Sequence, residues 1–143
     1  MNAAARSVPS PSASVHSFLA FDYGAKRVGV AVGTALLAQA RPLRTVAAEG
    51  DARFAAIAAL IGEWQPDALV VGVPRHPDGA PHENTARAQR FARQLHGRFR
   101  LPVHEVDERY TTTEALAAGA ANVDAASAAL ILEQFLRAQA SAA

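Results

Sequence analysis

The chain has no cysteine, and it has only one lysine, one methionine and one tryptophan among 143 residues. The missing cysteine excludes disulfides, thiolate metal ligands and thiol nucleophiles, and nothing argues for an oxidising compartment. No apolar run approaches the roughly 20 residues of a membrane-crossing helix. A glycine-rich loop closed by Lys-Ser/Thr is missing, and so is any internal repeat. Charge is scarce too. Charged residues make up 19% and the net charge is +1, so the chain is no polybasic nucleic-acid coat. These absences leave one ordinary domain, with the cytoplasm as its expected location and no membrane partner. The positive charge present is nearly all arginine, thirteen against one lysine. Arginine holds phosphate through a planar fork, although GC-rich coding would give the same bias together with the abundant alanine.

Residues 1–17 are rich in Ala, Ser and Pro and lack the apolar centre of a signal peptide. They read as a disordered tail, followed by a single domain over 18–138 and a fraying alanine tail over 139–143. Residues 18–23 alternate as a strand, with Phe18, Ala20 and Asp22 on one face. A short turn at Gly24-Ala25-Lys26 leads into a valine-rich strand over 27–33, so the two predict an antiparallel hairpin. Gly29 and Gly33 permit close approach of another element. Residues 41–46 suit a short edge strand, because Pro42 has no donor to offer a neighbour.

Phe54, Ile57, Ala58, Ile61 and Trp64 share one helical face over 51–64, and Pro66 ends that helix. The apolar run 68–73 is a strand covered on both sides. A proline-rich loop follows, then a helix over 84–98 with Ala88, Phe91, Ala92 and Leu95 inward and Arg87, Arg90 and Arg93 on another, solvated face. Residues 102–107 form the next strand. Thr111 and Glu114 have the spacing of a capping box, and a last helix begins near Asp124 with Ala125, Ala128, Ala129, Leu132, Phe135 and Leu136 inward. Strands alternating with helices imply a mixed α/β sheet with parallel segments. Ligands on such sheets sit at the carboxyl ends of the parallel strands.

A carboxylate closing a core strand is costly unless it is paired or holds a metal. Asp22 closes the first strand, and Asp107 and Glu108 close the last. Neighbours on a strand face opposite ways, so at most one of that pair can share a site with Asp22. Each acid also has an ordinary reading: Asp22 as a turn aspartate, Glu108 as the ion-pair partner of Arg109, Asp124 as a helix cap. Taken together, three carboxylates on one rim, without sulfur, form a hard oxygen site suited to Mg²⁺ or Mn²⁺. Two such ions clamp a phosphodiester. Lys26, Arg27 and Arg109 flank the same rim as phosphate contacts.

Four blocks carry a family resemblance: Phe21-Asp22-Tyr23-Gly24-Ala25-Lys26-Arg27-Val28-Gly29-Val30-Ala31; Val70-Val71-Gly72-Val73-Pro74 with Asp78-Gly79; Val106-Asp107-Glu108-Arg109-Tyr110-Thr111-Thr112; and Asp124-Ala125-Ala126-Ser127-Ala128-Ala129-Leu130-Ile131-Leu132. In this order and spacing the chain resembles the YqgF/RuvX family, proposed pre-16S rRNA nucleases related to Holliday-junction resolvases, over nearly all of residues 18–137. The resemblance implies a ribonuclease-H-like fold: a five-stranded mixed sheet, its first three strands antiparallel and the rest parallel, with helices on both faces. It also implies metal-dependent phosphodiester hydrolysis. Asp22, Glu108 and Asp124 then match the catalytic, metal-holding acids, ahead of Asp107. Lys26, Arg27, Arg75, Arg109, Thr111 and Thr112 are the expected nucleic-acid contacts. The loop departs from the family pattern, with Arg75-His76-Pro77 where a leucine-asparagine type of sequence is expected.

The leading reading is therefore a nuclease, with two Mg²⁺ or Mn²⁺ ions, acting on precursor rRNA in a ribosomal particle, as a monomer or homodimer. A resolvase cutting branched DNA would need paired sites and hence a dimer. A non-catalytic RNA-binding assembly factor would use the arginine face instead and bind without metal. An actin-like phosphotransferase is too large for a chain with a single half. The histidines read as surface or pairing residues.

Overall fold

The computed structural model describes residues 16–76, 78, 80, 83–107 and 123–142. Five strands, β1 (Ser17–Asp22), β2 (Val28–Thr34), β3 (Gln39–Val46), β4 (Ala68–Val73) and β5 (Val103–Asp107), form one sheet in the order β3-β2-β1-β4-β5. The helices are α1 (Gly50–Trp64), α2 (Thr85–Phe99) and α3 (Val123–Ala142). β1 and β2 are antiparallel, as are β2 and β3, whereas β4 runs parallel to β1 and β5 parallel to β4. This is the mixed, ribonuclease-H-like sheet that the family resemblance implies. Pro42 lies on edge strand β3, where a bulge shifts the register between Val30 and Ala31.

Alternation divides the core into two layers. Leu19, Phe21, Val28, Val30, Leu69 and Val71 face α1 and α2, packing on Phe54, Ile57, Leu60, Phe91 and Leu95. Phe18, Ala20, Val70 and Val106 face α3 and meet Ile131, Leu132 and Leu136. Ala31 packs with Ala128 and Ala129. The small side chains on that face let the helix ride close to the sheet.

Helix α2 buries the stripe read from the sequence, with Thr85 added. The Thr85 hydroxyl donates to the Pro74 carbonyl, tying the start of α2 to the end of β4. In α1 the inward face is rotated from the expected one. Ala58 is exposed, and Leu60 and Arg53 are buried. Phe54, Ile57 and Leu60 reach the sheet as larger apolar groups, so Ala58 yields the inward place. Helix α3 continues to Ala142, past the point where the alanine tail is expected to fray, consistent with alanine's high helix propensity. The expected capping box of Thr111 and Glu114 lies outside the described residues. Among the described residues no helix is long and apolar enough to cross a membrane.

Strand β1 also starts one residue earlier than composition suggests, because Asp67 fastens it. The backbone N–H groups of His16 and Ser17 donate to Asp67 Oδ2 at 3.1 and 3.0 Å, and the Ser17 hydroxyl donates to the same oxygen at 3.0 Å. Asp67 N–H returns a bond to the Ser17 carbonyl at 2.8 Å. Burial pushes the Asp67 carboxyl up, but these bonds outweigh it and hold the group below its ordinary value. Its stabilising contribution is therefore present above the ordinary carboxylate pKa and is lost as the pH falls through the folded value. Asp67→Asn should lower the unfolding free energy by about 1 kcal/mol at neutral pH. In urea titrations the gap from wild type should close in acid; a gap independent of pH contradicts the role of the charge.

Candidate acidic rim at the strand ends

The parallel strands β1, β4 and β5 end together at Asp22, Val73 and Asp107. Asp22 pairs in register with Gly29 on one side and Gly72 on the other, and Gly72 pairs with Val106. Asp22 therefore shares the α3 face with Phe18 and Ala20, as its alternation predicts. Asp107 follows Val106 and falls on the opposite face. Its carbonyl accepts a bond from Gln134 Nε2 at 3.1 Å. Glu108, Arg109, Thr111 and Thr112 lie outside the described residues.

Gly29 makes the meeting of β2 and α3 possible. A Cβ built there would stand 1.9 Å from the Asp124 carbonyl oxygen and 2.8 Å from the Ala125 nitrogen. Only a residue without a side chain lets the first turn of α3 rest on the strand at this point. Because Gly29 is the partner of Asp22, this seat brings Asp124 beside Asp22. Arg27 Nε then lies 3.2 Å from Asp124 Oδ2. Gly24 serves the turn in the same way, since a Cβ there would meet the Arg27 carbonyl oxygen at 2.5 Å.

The two acids are electrostatically linked. Burial, and then the neighbouring charge of Asp124, push the Asp22 carboxyl from 3.8 up to about 7. A buried carboxyl next to another acid is a poor structural element by itself and a good hard-oxygen donor for a cation. This donor pair fits a divalent ion. Among the described residues no group of three acidic or histidine side chains converges, so the described part of the site consists of these two carboxylates.

The surrounding cations occupy different places. Gly24, Ala25, Lys26, Arg27 and Asp124 line an open hollow of about 510 Å³. Lys26 is exposed there, while Arg27 serves Asp124. Arg75 lies beyond the end of β4, half-buried. His76 N–H donates to the Ala80 carbonyl at 3.0 Å, and the His104 ring packs on Phe135 at 5.0 Å. Sequence reasoning missed Arg53, which is only 5% exposed. Its Nε donates to the Ala48 carbonyl at 2.8 Å and its Nη2 to the Ala25 carbonyl at 3.0 Å, bracing the turn that carries Lys26 and Arg27. An arginine near a helix start carries no local signal of such burial.

The fold and rim define an α/β protein of ribonuclease-H-like class with paired acids at the strand ends. The family model described as RuvX, Holliday junction resolvase, matches residues 16–138. The chain belongs to the RuvX family. It is 68% identical over 126 residues to a protein of Albidiferax ferrireducens named "Putative pre-16S rRNA nuclease", covering 88% of this chain and 81% of the relative. A protein of the same name from Polaromonas sp. is 65% identical over 130 residues, covering 91% and 94%. Among solved structures, Thermus thermophilus RuvC in complex with a Holliday junction substrate superposes with a TM-score of 0.54 at 17% identity, covering 87% of this chain and 96% of that one. That likeness is one of fold.

Two outcomes follow for the metal-free protein. Asp22 should titrate near 7 by carboxyl-carbon NMR, and Asp124→Asn should bring it down. Because the folded value lies above the ordinary one, stability is full below about pH 4 and declines as the pH rises through the folded value. Asp22→Asn should therefore be the more stable protein at pH 8, by roughly 1–4 kcal/mol. An ordinary Asp22 titration contradicts the burial of Asp22 and its coupling to Asp124. Separately, Gly29→Ala should cost about 1–3 kcal/mol and move Asp124 away from Asp22; unchanged stability and an unchanged Asp22 titration contradict the seat.

Proposed function

We propose that the protein is a nuclease that hydrolyses phosphodiester bonds with the help of divalent metal, acting at the 5′ end of precursor 16S rRNA during ribosome assembly. The observation that carries this reading is the coupling of the largely buried Asp22 to the half-buried Asp124 at the carboxyl ends of the parallel strands. The names of the close relatives supply the substrate.

Asp22 and Asp124 would hold the metal, with Glu108 as the third acid. Strand alternation supports Glu108 over Asp107, because Asp107 follows Val106 and so faces away from Asp22. Mg²⁺ or Mn²⁺, held as two ions by these acids, would supply charge stabilisation for the phosphodiester and a lowered pKa for the attacking water. The chain's own residues do the positioning. Asp22 is fixed by its place in a central strand, and Asp124 by Gly29 beneath it and Arg27 beside it. Lys26, exposed on the same turn, offers its ammonium to a phosphate, and Arg75, Arg109, Thr111 and Thr112 are the further phosphate contacts of this reading. In the reaction, water forms a new P–O bond in line with the leaving oxygen, which departs and takes up a proton.

The test is cleavage of matched precursor-rRNA, DNA and four-way-junction substrates in one metal buffer. Wild type should cut the RNA, and Asp22→Asn should lose at least about 100-fold in rate while keeping the wild-type circular dichroism spectrum. Wild-type turnover by that variant, or in excess chelator, contradicts the proposal. Preferential cutting of the junction would replace rRNA with branched DNA as the substrate.

A further inference from the structure

The other face of the sheet end carries a second feature. Tyr23 follows Asp22 directly and turns to the α1/α2 side, where its ring lies 5.3 Å from that of Phe91. Together with Arg53, Arg87, Arg90 and Gln94 these rings line a cavity of about 320 Å³, with Gly50 and Phe54 at its border. That volume falls in the range of small-ligand pockets, roughly 300–1,000 Å³. Among the described residues, every charged group on its wall is an arginine, and no acid lines it.

Arg53 is the telling member. Its guanidinium is buried, lies 5.6 Å from the centre of the Tyr23 ring, and bonds only to two carbonyls, without a carboxylate partner among the described residues. A buried, unneutralised cation is costly and raises the local affinity for an anion. Arg87 and Arg90 stand one turn apart on α2, exposed at the same wall, and neither forms an ion pair among the described residues. The sequence groups Arg93 with them, but the structure separates it: Arg93 borders a different hollow with His96 and Glu105.

We infer that this cavity binds one nucleotide of a single strand flanking the scissile bond, its phosphate on Arg87 and Arg90 and its base against the Tyr23 ring. The inference rests on the nuclease reading and deepens it. Asp22 and Tyr23 are consecutive, so their Cα atoms are about 3.8 Å apart. A strand crossing the rim from the Asp22 side therefore enters this cavity within a nucleotide or two. Aromatic faces with arginine forks are the combination that holds single strands with little sequence preference.

Anisotropy of a short fluorescent single-stranded RNA, read in excess chelator, tests this without turnover. Arg87→Gln/Arg90→Gln should weaken binding about tenfold at low salt and flatten the salt dependence by about 1.4 in log–log slope. Arg93→Gln/Arg137→Gln removes the same charge elsewhere and should stay within about twofold of wild type. Equal losses in the two doubles, or none in the first, overturn the inference. Tyr23→Leu should weaken the RNA about fivefold and leave an abasic strand unaffected; equal loss for both strands overturns the stacking. Adenosine 5′-monophosphate should compete only at far higher concentration than the RNA. Competition at equal concentration would make this a free-nucleotide site and overturn the strand assignment. Because binding is read without metal, these results stand apart from whether Asp22→Asn abolishes cleavage.

Discussion

The close packing of α3 against β2 at Gly29 is the contact on which the acidic rim depends. The backbone of Asp124 occupies the space that a side chain at position 29 would fill. Gly29 is also the register partner of Asp22. One missing methyl group thus fixes where the last helix begins and which acid it presents to the central strand. Burial raises the Asp22 value most, and the nearby charge of Asp124 adds to it.

The rim works because one strand end serves both faces of the sheet. The strand's period of two sends Asp22 toward α3 and Tyr23 toward α1 and α2. On the first side lie the acids, with Arg27 and Lys26 at the turn. On the second lie aromatic rings and arginines, with no acid among the described residues of the cavity wall. Arg53 links the two sides mechanically, since it hydrogen-bonds the Ala25 carbonyl in the turn and also borders the cavity behind it. The chemistry proposed for the first face and the strand-holding proposed for the second are therefore adjacent along the chain, on opposite faces of the sheet end.

Much of this was legible in the sequence, for identifiable reasons. Asp22 stands out because a carboxylate interrupts an apolar alternation, and Asp124 because it opens an amphipathic helix. Gly29 could be read as a place of close approach, though not of what approaches, since the partner lies nearly a hundred residues further on. The Asp67 latch on β1 escaped for the same reason: the bond to Ser17 spans 50 residues and leaves no local pattern. The rotation of α1 turned on whether Leu60 or Ala58 faces the sheet, and periodicity alone tolerates both. The arginines of α2 look equivalent on a helical wheel. They differ only because Arg87 and Arg90 overlook the Tyr23 cavity and Arg93 does not.

The central claim is that Asp22 and Asp124 converge to hold a divalent cation. The most direct measurement is a crystal structure of the protein soaked in Mn²⁺, with the ions located by anomalous scattering. The account predicts a peak shared by the carboxylates of Asp22 and Asp124. Peaks confined to surface acids such as Glu49 and Asp51, with Asp22 and Asp124 turned away from each other, would contradict it.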